Sequence, residues 1–79
     1  MLPAGLLLLL DSGHRIYLVP DFEPHGMFFI SIAIHGSSGI LGTAQLPFYE
    51  AGRLLAEAKA RGYTTQHVSA QGIILERDA

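Results

Sequence analysis

The chain has no cysteine. That excludes a disulfide framework and a thiolate zinc site, and a cytoplasmic location is the expected one. Charge is scarce as well: 15 % of the 79 residues are charged, five Lys or Arg against seven Asp or Glu, for a net charge of −2. Nucleic-acid binders draw most of their affinity from Lys and Arg meeting phosphates, so a strongly basic contact face is excluded. The longest apolar stretches fall far short of the roughly 20 residues that cross a bilayer. The opening MLPAGLLLLLD has no Lys or Arg before its leucines and no small-residue cleavage pattern after them, so neither a signal peptide nor a membrane anchor is expected. Internal repeats and low-complexity linkers are missing too.

What is present is apolar, 49 % of the chain, which is a globular rather than a disordered composition. Residues 1–79 are expected to form a single domain. A chain this short removes only roughly 60 % of its unfolded surface from water. With no disulfide or metal to staple it, it gains from forming a homodimer or from docking on a protein partner.

Leu6–Leu10 reads as a buried strand, and Asp11-Ser12-Gly13 as a tight turn after it. His14–Val19 alternates, with Ile16 and Leu18 on one face and Arg15, Tyr17 and Val19 on the other. Pro20-Asp21-Phe22-Glu23-Pro24-His25-Gly26 reads as a loop. Met27–Ile34 is the clearest strand. Phe28, Ile30, Ile32 and Ile34 face the core, while Met27, Phe29, Ser31, Ala33 and His35 make a mixed, half-covered second face.

Phe48–Arg61 carries the helical signature. Ala51, Leu54, Leu55 and Ala58 form one apolar stripe. Glu50, Arg53, Glu57 and Arg61 are spaced for ion pairs on the wet side, Pro47 suits the first turn, and Gly62 is a stop signal. Gly52 inside the helix costs about 1 kcal/mol relative to Ala, and close approach to the sheet would explain it. Tyr63–Val68, rich in β-branched residues, and Ile73–Leu75, after a turn-like Ser69–Gly72, read as one or two closing strands, and the tail from Glu76 is expected to fray. The fold class that follows is α+β: a small antiparallel sheet in β-β-β-α-β order, with one helix packed on one face.

Candidate chemistry centres on HGSSGILG, where Gly36, Gly39 and Gly42 recur at every third position. The spacing is not the G-x-G-x-x-G of a dinucleotide site, and no lysine stands nearby to make a phosphate loop. A nucleophile elbow needs G-x-S-x-G, and no third group is placed to orient His35 beside Ser37 or Ser38. His14, His25, His35 and His67 have no metal-ligand spacing, and Glu50, Glu57 and Glu76 read as a solvated helix face and tail. No enzyme activity, metal or cofactor is expected. Spacing alone makes the segment a glycine-rich strand end and turn.

The same residues resemble the WGR domain, a module that accompanies poly(ADP-ribose) polymerases and occurs in many bacterial proteins. Its hallmark is W-G-R-x-G-x-x-G, and His35-Gly36-Ser37-Ser38-Gly39-Ile40-Leu41-Gly42 keeps all three glycines. Arg15-Ile16-Tyr17 is similar to the family's Arg-aromatic-Tyr strand, and Pro20–Gly26 to its Pro-Asp-Leu-Phe-Gly loop. Lys59-Ala60-Arg61-Gly62-Tyr63 resembles the run that ends its helix. The likeness spans Arg15 to Tyr63, with a shorter stretch between Gly42 and the helix. His35 stands where the family has Trp, and Ser37 where it has Arg.

In that family the Trp and Arg are associated with engaging DNA ends, by stacking and by a forked grip on phosphate. The resemblance therefore implies a chain that keeps the scaffold without the strong grip on nucleic acid. Size and style also resemble the small phage-encoded anti-CRISPR inhibitors. The expected function is a non-enzymatic protein-binding module that inhibits a nucleic-acid-handling complex, such as a CRISPR effector, by binding the protein. Tyr17, Met27, Phe29, His35 and Ser37 are the expected partner-binding residues. The alternative is a WGR-like nucleic-acid-binding domain using Arg15, Arg53, Lys59 and Arg61.

Overall fold

The computed structural model describes residues 1–22 and 28–78. Among these the order is α1 (Ala4–Ser12), β1 (Arg15–Phe22), β2 (Phe28–Gly36), β3 (Gly39–Pro47), a 3-10 turn (Phe48–Glu50) running into α2 (Ala51–Ala60), β4 (Thr64–Ser69) and β5 (Gly72–Glu76). The strands form one antiparallel sheet in the order β3-β2-β1-β5-β4, which puts β1 at its centre. The α+β class holds, with two helices where one was expected.

The extra helix is the leucine run. Leu6–Leu10 is not a strand but the body of α1. An uninterrupted apolar run has no period to separate the two, and unbranched leucine favours the helix while lacking the β-branched shape that suits a pleat. Winding at 3.6 residues per turn puts Leu6 and Leu10 into the core, where Leu2 joins them from just before the helix, and leaves Leu8 66 % exposed. Asp11-Ser12-Gly13 ends this helix rather than turning a hairpin.

A second difference is β3, which sequence patterning leaves unassigned. Its inward positions Gly42, Ala44 and Leu46 are mostly small, so hydrophobicity barely alternates along it. β1 also runs on through Pro20 to Phe22, into the segment expected to be a loop, while 23–26 lie outside the described residues.

Both helices pack on one face of the sheet. Ile16, Leu18, Ile30, Ile32, Ile34, Leu46 and Leu75 supply the sheet side of the core; Leu2, Leu6, Leu10, Leu54 and Ala58 supply the helix side. Burying a leucine such as Leu54 is worth roughly 1.5–3 kcal/mol, which is why the apolar stripe of α2 fixes its orientation. α2 follows its expected pattern, stopping at Gly62, whose φ is 91°. Glu57 and Arg61 pair at 2.7 Å, but among the described residues Arg53 pairs with no carboxylate closer than Glu50, at 4.0 Å. Gly52 is exposed, and a Cβ there would meet nothing within 4 Å, so close approach to the sheet does not explain it.

Glu76 and Arg77 are tied down rather than frayed, while Ala79 lies outside the described residues. Glu76 closes β5, and the Arg77 guanidinium donates to the carbonyls of Gly13, Arg61 and Leu10, each at 2.9 Å, and to that of Asp11. The Tyr63 hydroxyl donates to the same Leu10 carbonyl at 2.8 Å, and Arg77 lies 4.6 Å above its ring. Burial pushes the Tyr63 phenol above its ordinary value of 10.0, against the opposing charge of Arg77.

The folded state thus holds the Tyr63 proton more tightly than the unfolded chain does. Stability is fully present below the unfolded phenol's pKa and is lost as pH rises through the folded one. Melting temperature is expected to fall as pH rises above the unfolded phenol's ordinary value of about 10, and Tyr63→Phe, less stable at neutral pH, is expected to lose less on the alkaline side. Parallel alkaline curves for the two proteins would contradict this.

Candidate functional site

Two-residue alternation places Arg15, Tyr17, Val19 and Asp21 on the side of β1 that the helices do not cover. Across the sheet the same side carries Phe29, Ser31, Ala33 and His35 from β2, Thr43 and Gln45 from β3, and Ile74 and Glu76 from β5. The register aligns Thr43, Ala33, Tyr17, Ile74 and His67 in one row, and Arg15 stands between His35 and Glu76 in the next.

Tyr17 and Val19 form a low ridge along the middle of this open face, with Val19 47 % exposed. A depression of about 440 Å³ lies on one side, lined by Ser31, Ala33, Thr43 and Gln45. Another of about 350 Å³ lies on the other, lined by His67, Ser69, Gln71, Gly72 and Ile74. Small side chains on β2 and β3 make the first, and the glycine beside the β4–β5 turn helps make the second. Neither collects the convergent polar groups that fix a small substrate.

Polar groups frame the ridge at its two ends. At one end Arg15 donates to the Tyr17 hydroxyl and to the Glu76 carboxylate, each at 3.0 Å, and these two contacts raise its pKa further. The His35 ring meets Tyr17 edge-on at 4.8 Å between centroids. At the other end Asp21 accepts from the Gln45 amide at 3.3 Å.

Of the expected contact residues, Tyr17, Phe29 and His35 share this face. Ser37 is exposed in the turn between β2 and β3, at its border. Met27 lies outside the described residues. Patterning missed Ile74 and Glu76, because only the pairing of β5 with β1 brings them here. The cations of the nucleic-acid alternative fall on different sides. Arg15 is on the open face, whereas Arg53 and Lys59 lie on α2, and Arg61 follows α2 and pairs with Asp11 at 2.6 Å.

The glycines of HGSSGILG have separate geometric duties. Gly36 and Gly39 face each other across the β2–β3 hairpin, and Gly39 has a φ of 132°, which side chains rarely adopt. Gly42 lies beneath α1, where a Cβ would come within 2.7 Å of a Leu9 methyl. Among the described residues no group of three or more His, Asp or Glu is placed to hold a metal ion, and no helix is long and apolar enough to cross a membrane. Comparison of the chain with protein-family models, with curated proteins and with solved structures finds no match.

Proposed function

We propose that this chain is a small non-enzymatic protein-binding module, an inhibitor of a nucleic-acid-handling complex. In this proposal it acts as anti-CRISPR proteins do, holding a CRISPR effector away from its target DNA through protein contacts. The observation that carries the docking role is the open sheet face, an apolar ridge of Tyr17 and Val19 flanked by two depressions while both helices pack on the other side. A face of this kind, with an aromatic residue at its centre and polar groups at its rim, has the make-up of a protein contact. What supports the target class is the net charge of −2 and the resemblance of the glycine segment to the WGR domain, with His35 and Ser37 at the positions of that family's DNA-gripping Trp and Arg.

The nucleic-acid alternative draws less support. Its cations are divided between two sides of the sheet, and both Arg15 and Arg61 already face carboxylates at 3.0 Å or less. The test is capture of purified CRISPR effector complexes by the immobilised protein. Wild type is expected to retain a complex, Val19→Glu to lose at least tenfold in retention with an unchanged melting curve, and Lys59→Ala to behave as wild type. Failure to retain any effector, together with salt-sensitive binding of DNA, would reverse the choice between the two functions.

A further inference from the structure

We propose that the open face is covered by a second copy of this chain, in an antiparallel face-to-face dimer whose two-fold axis crosses the middle of β1. The proposal rests on the face being a docking surface, as argued above, and names an occupant for it.

The argument comes from the order of side chains along the central strand. On its open side β1 presents Arg15, Tyr17, Val19 and Asp21: a cation, two apolar residues, then an anion. A two-fold axis passing between Tyr17 and Val19 reverses this order in the facing copy. Arg15 of each chain then lies over Asp21 of the other, about 20 Å apart along the strand, and Tyr17 meets Val19 at the centre. The pattern is complementary to itself only in this antiparallel sense. A parallel arrangement would set Arg15 against Arg15 and Asp21 against Asp21.

The hydrogen-bonding groups have capacity left for such contacts. A guanidinium carries five N–H donors, and the contacts of Arg15 with Tyr17 and Glu76 engage two of them. Asp21 is exposed and, among the described residues, accepts one long bond, from Gln45 at 3.3 Å. Glu76 remains beside Arg15, so the cation would be shared between a carboxylate of its own chain and one of the other.

Shape and area agree. Aligned sheets cross at roughly 30° because each is twisted. The two ridges therefore meet at their midpoints, and about 10 Å from the axis, where Arg15 and Asp21 stand, the sideways shift is about 5 Å, within reach of the long Arg15 side chain. Five strands about 4.8 Å apart and about 20 Å long give a flat footprint of roughly 500 Å² per copy, or about 1,000 Å² for the pair. That is the lower end of specific interfaces, so the dimer is expected to form in the micromolar range and to yield to a better-fitting protein.

Sedimentation equilibrium from micromolar to millimolar protein tests this. Wild type is expected to reach dimer. Arg15→Asp and Asp21→Arg are each expected to weaken self-association at least tenfold at low salt, and an equimolar mixture of the two to recover a heterodimer. Val19→Glu, which leaves both charges in place, is expected to be monomeric, and thermal melts confirm that each variant is folded. A wild type that stays monomeric at millimolar concentration overturns the proposal, as does a dimer that all three variants leave intact. A monomer that still captures an effector through Val19 removes the dimer and leaves the docking function standing. A dimer that depends on Val19 but captures no effector upholds the dimer and removes that function.

Discussion

Arg77→Leu is expected to lower folding stability by about 4 kcal/mol and the melting temperature by roughly 15 °C or more. The substitution keeps a bulky side chain but removes every donor of the guanidinium. Those donors reach the carbonyls of Leu10, Asp11 and Gly13 at the end of α1, and that of Arg61 just after α2. Helix ends leave carbonyls unpaired and carry partial negative charge, and α1 has no basic residue of its own in its last turn.

The cation is therefore supplied from a position more than sixty residues away in sequence. A hydrogen bond to a charged group contributes about 1.5–3 kcal/mol. Part of the site is wet, so water replaces some of the loss, and the sum comes to about 4 kcal/mol rather than the roughly 6–12 of four full bonds. Arg77→Lys keeps the charge and the contact with the Tyr63 ring but offers a single head group, and it is expected to recover less than half. Urea unfolding followed by circular dichroism measures all three proteins. A loss below about 1 kcal/mol for Arg77→Leu would mean that water serves those carbonyls as well as the guanidinium does.

That clasp is also the clearest instance of what sequence patterning does not reach. An arginine near the end of a short chain, between Glu76 and Asp78, has every local mark of a solvated tail. Only the antiparallel pairing of β5 with β1 carries it to the end of α1, where the Arg77 N–H also donates to the His14 carbonyl at 2.9 Å. The helix at Leu6–Leu10 is hidden from patterning for a different reason: five identical apolar residues carry no period, and leucine's helix preference then decides. β3 was obscure because Gly42 and Ala44 stand where large inward residues would have announced a strand.

The candidate face was legible to the extent that it depends on alternation within a strand. Tyr17, Phe29 and His35 fall on one side of β1 and β2 because side chains alternate with a period of two. The half-covered state of the second face of β2 was legible for the same reason. What stayed hidden depends on register between distant strands: Ile74 and Glu76 joining the face, and the His35 ring settling on Tyr17 at 4.8 Å. The split of the cations was hidden as well. Arg15 and the group at Arg53, Lys59 and Arg61 sit on strand and helix positions whose relative sides only the packed structure defines.

Gly72→Ala is expected to cost about 4 kcal/mol and to loosen the β4–β5 hairpin from β1. Two effects combine at this position. Its φ is 153°, in the region that side chains rarely adopt, and a Cβ there would collide with the backbone carbonyl oxygen of Leu18. Strain of the first kind is worth about 1–3 kcal/mol, and forced overpacking about the same. Because the obstacle is backbone in the central strand, no side chain can swing aside to relieve it. Gly39 provides the control. It follows a two-residue turn in the same way and has a φ of 132°, but a Cβ there meets nothing within 4 Å. Gly39→Ala is accordingly expected to cost about 1–2 kcal/mol, the strain alone. Hydrogen exchange should separate the two. In Gly72→Ala, amides of β4 and β5 lose protection while those of β2 and β3 keep it, whereas Gly39→Ala changes only the tip of the β2–β3 hairpin. Equal losses from the two substitutions would show that the contact with Leu18 is absorbed elsewhere, and that backbone conformation alone sets the cost.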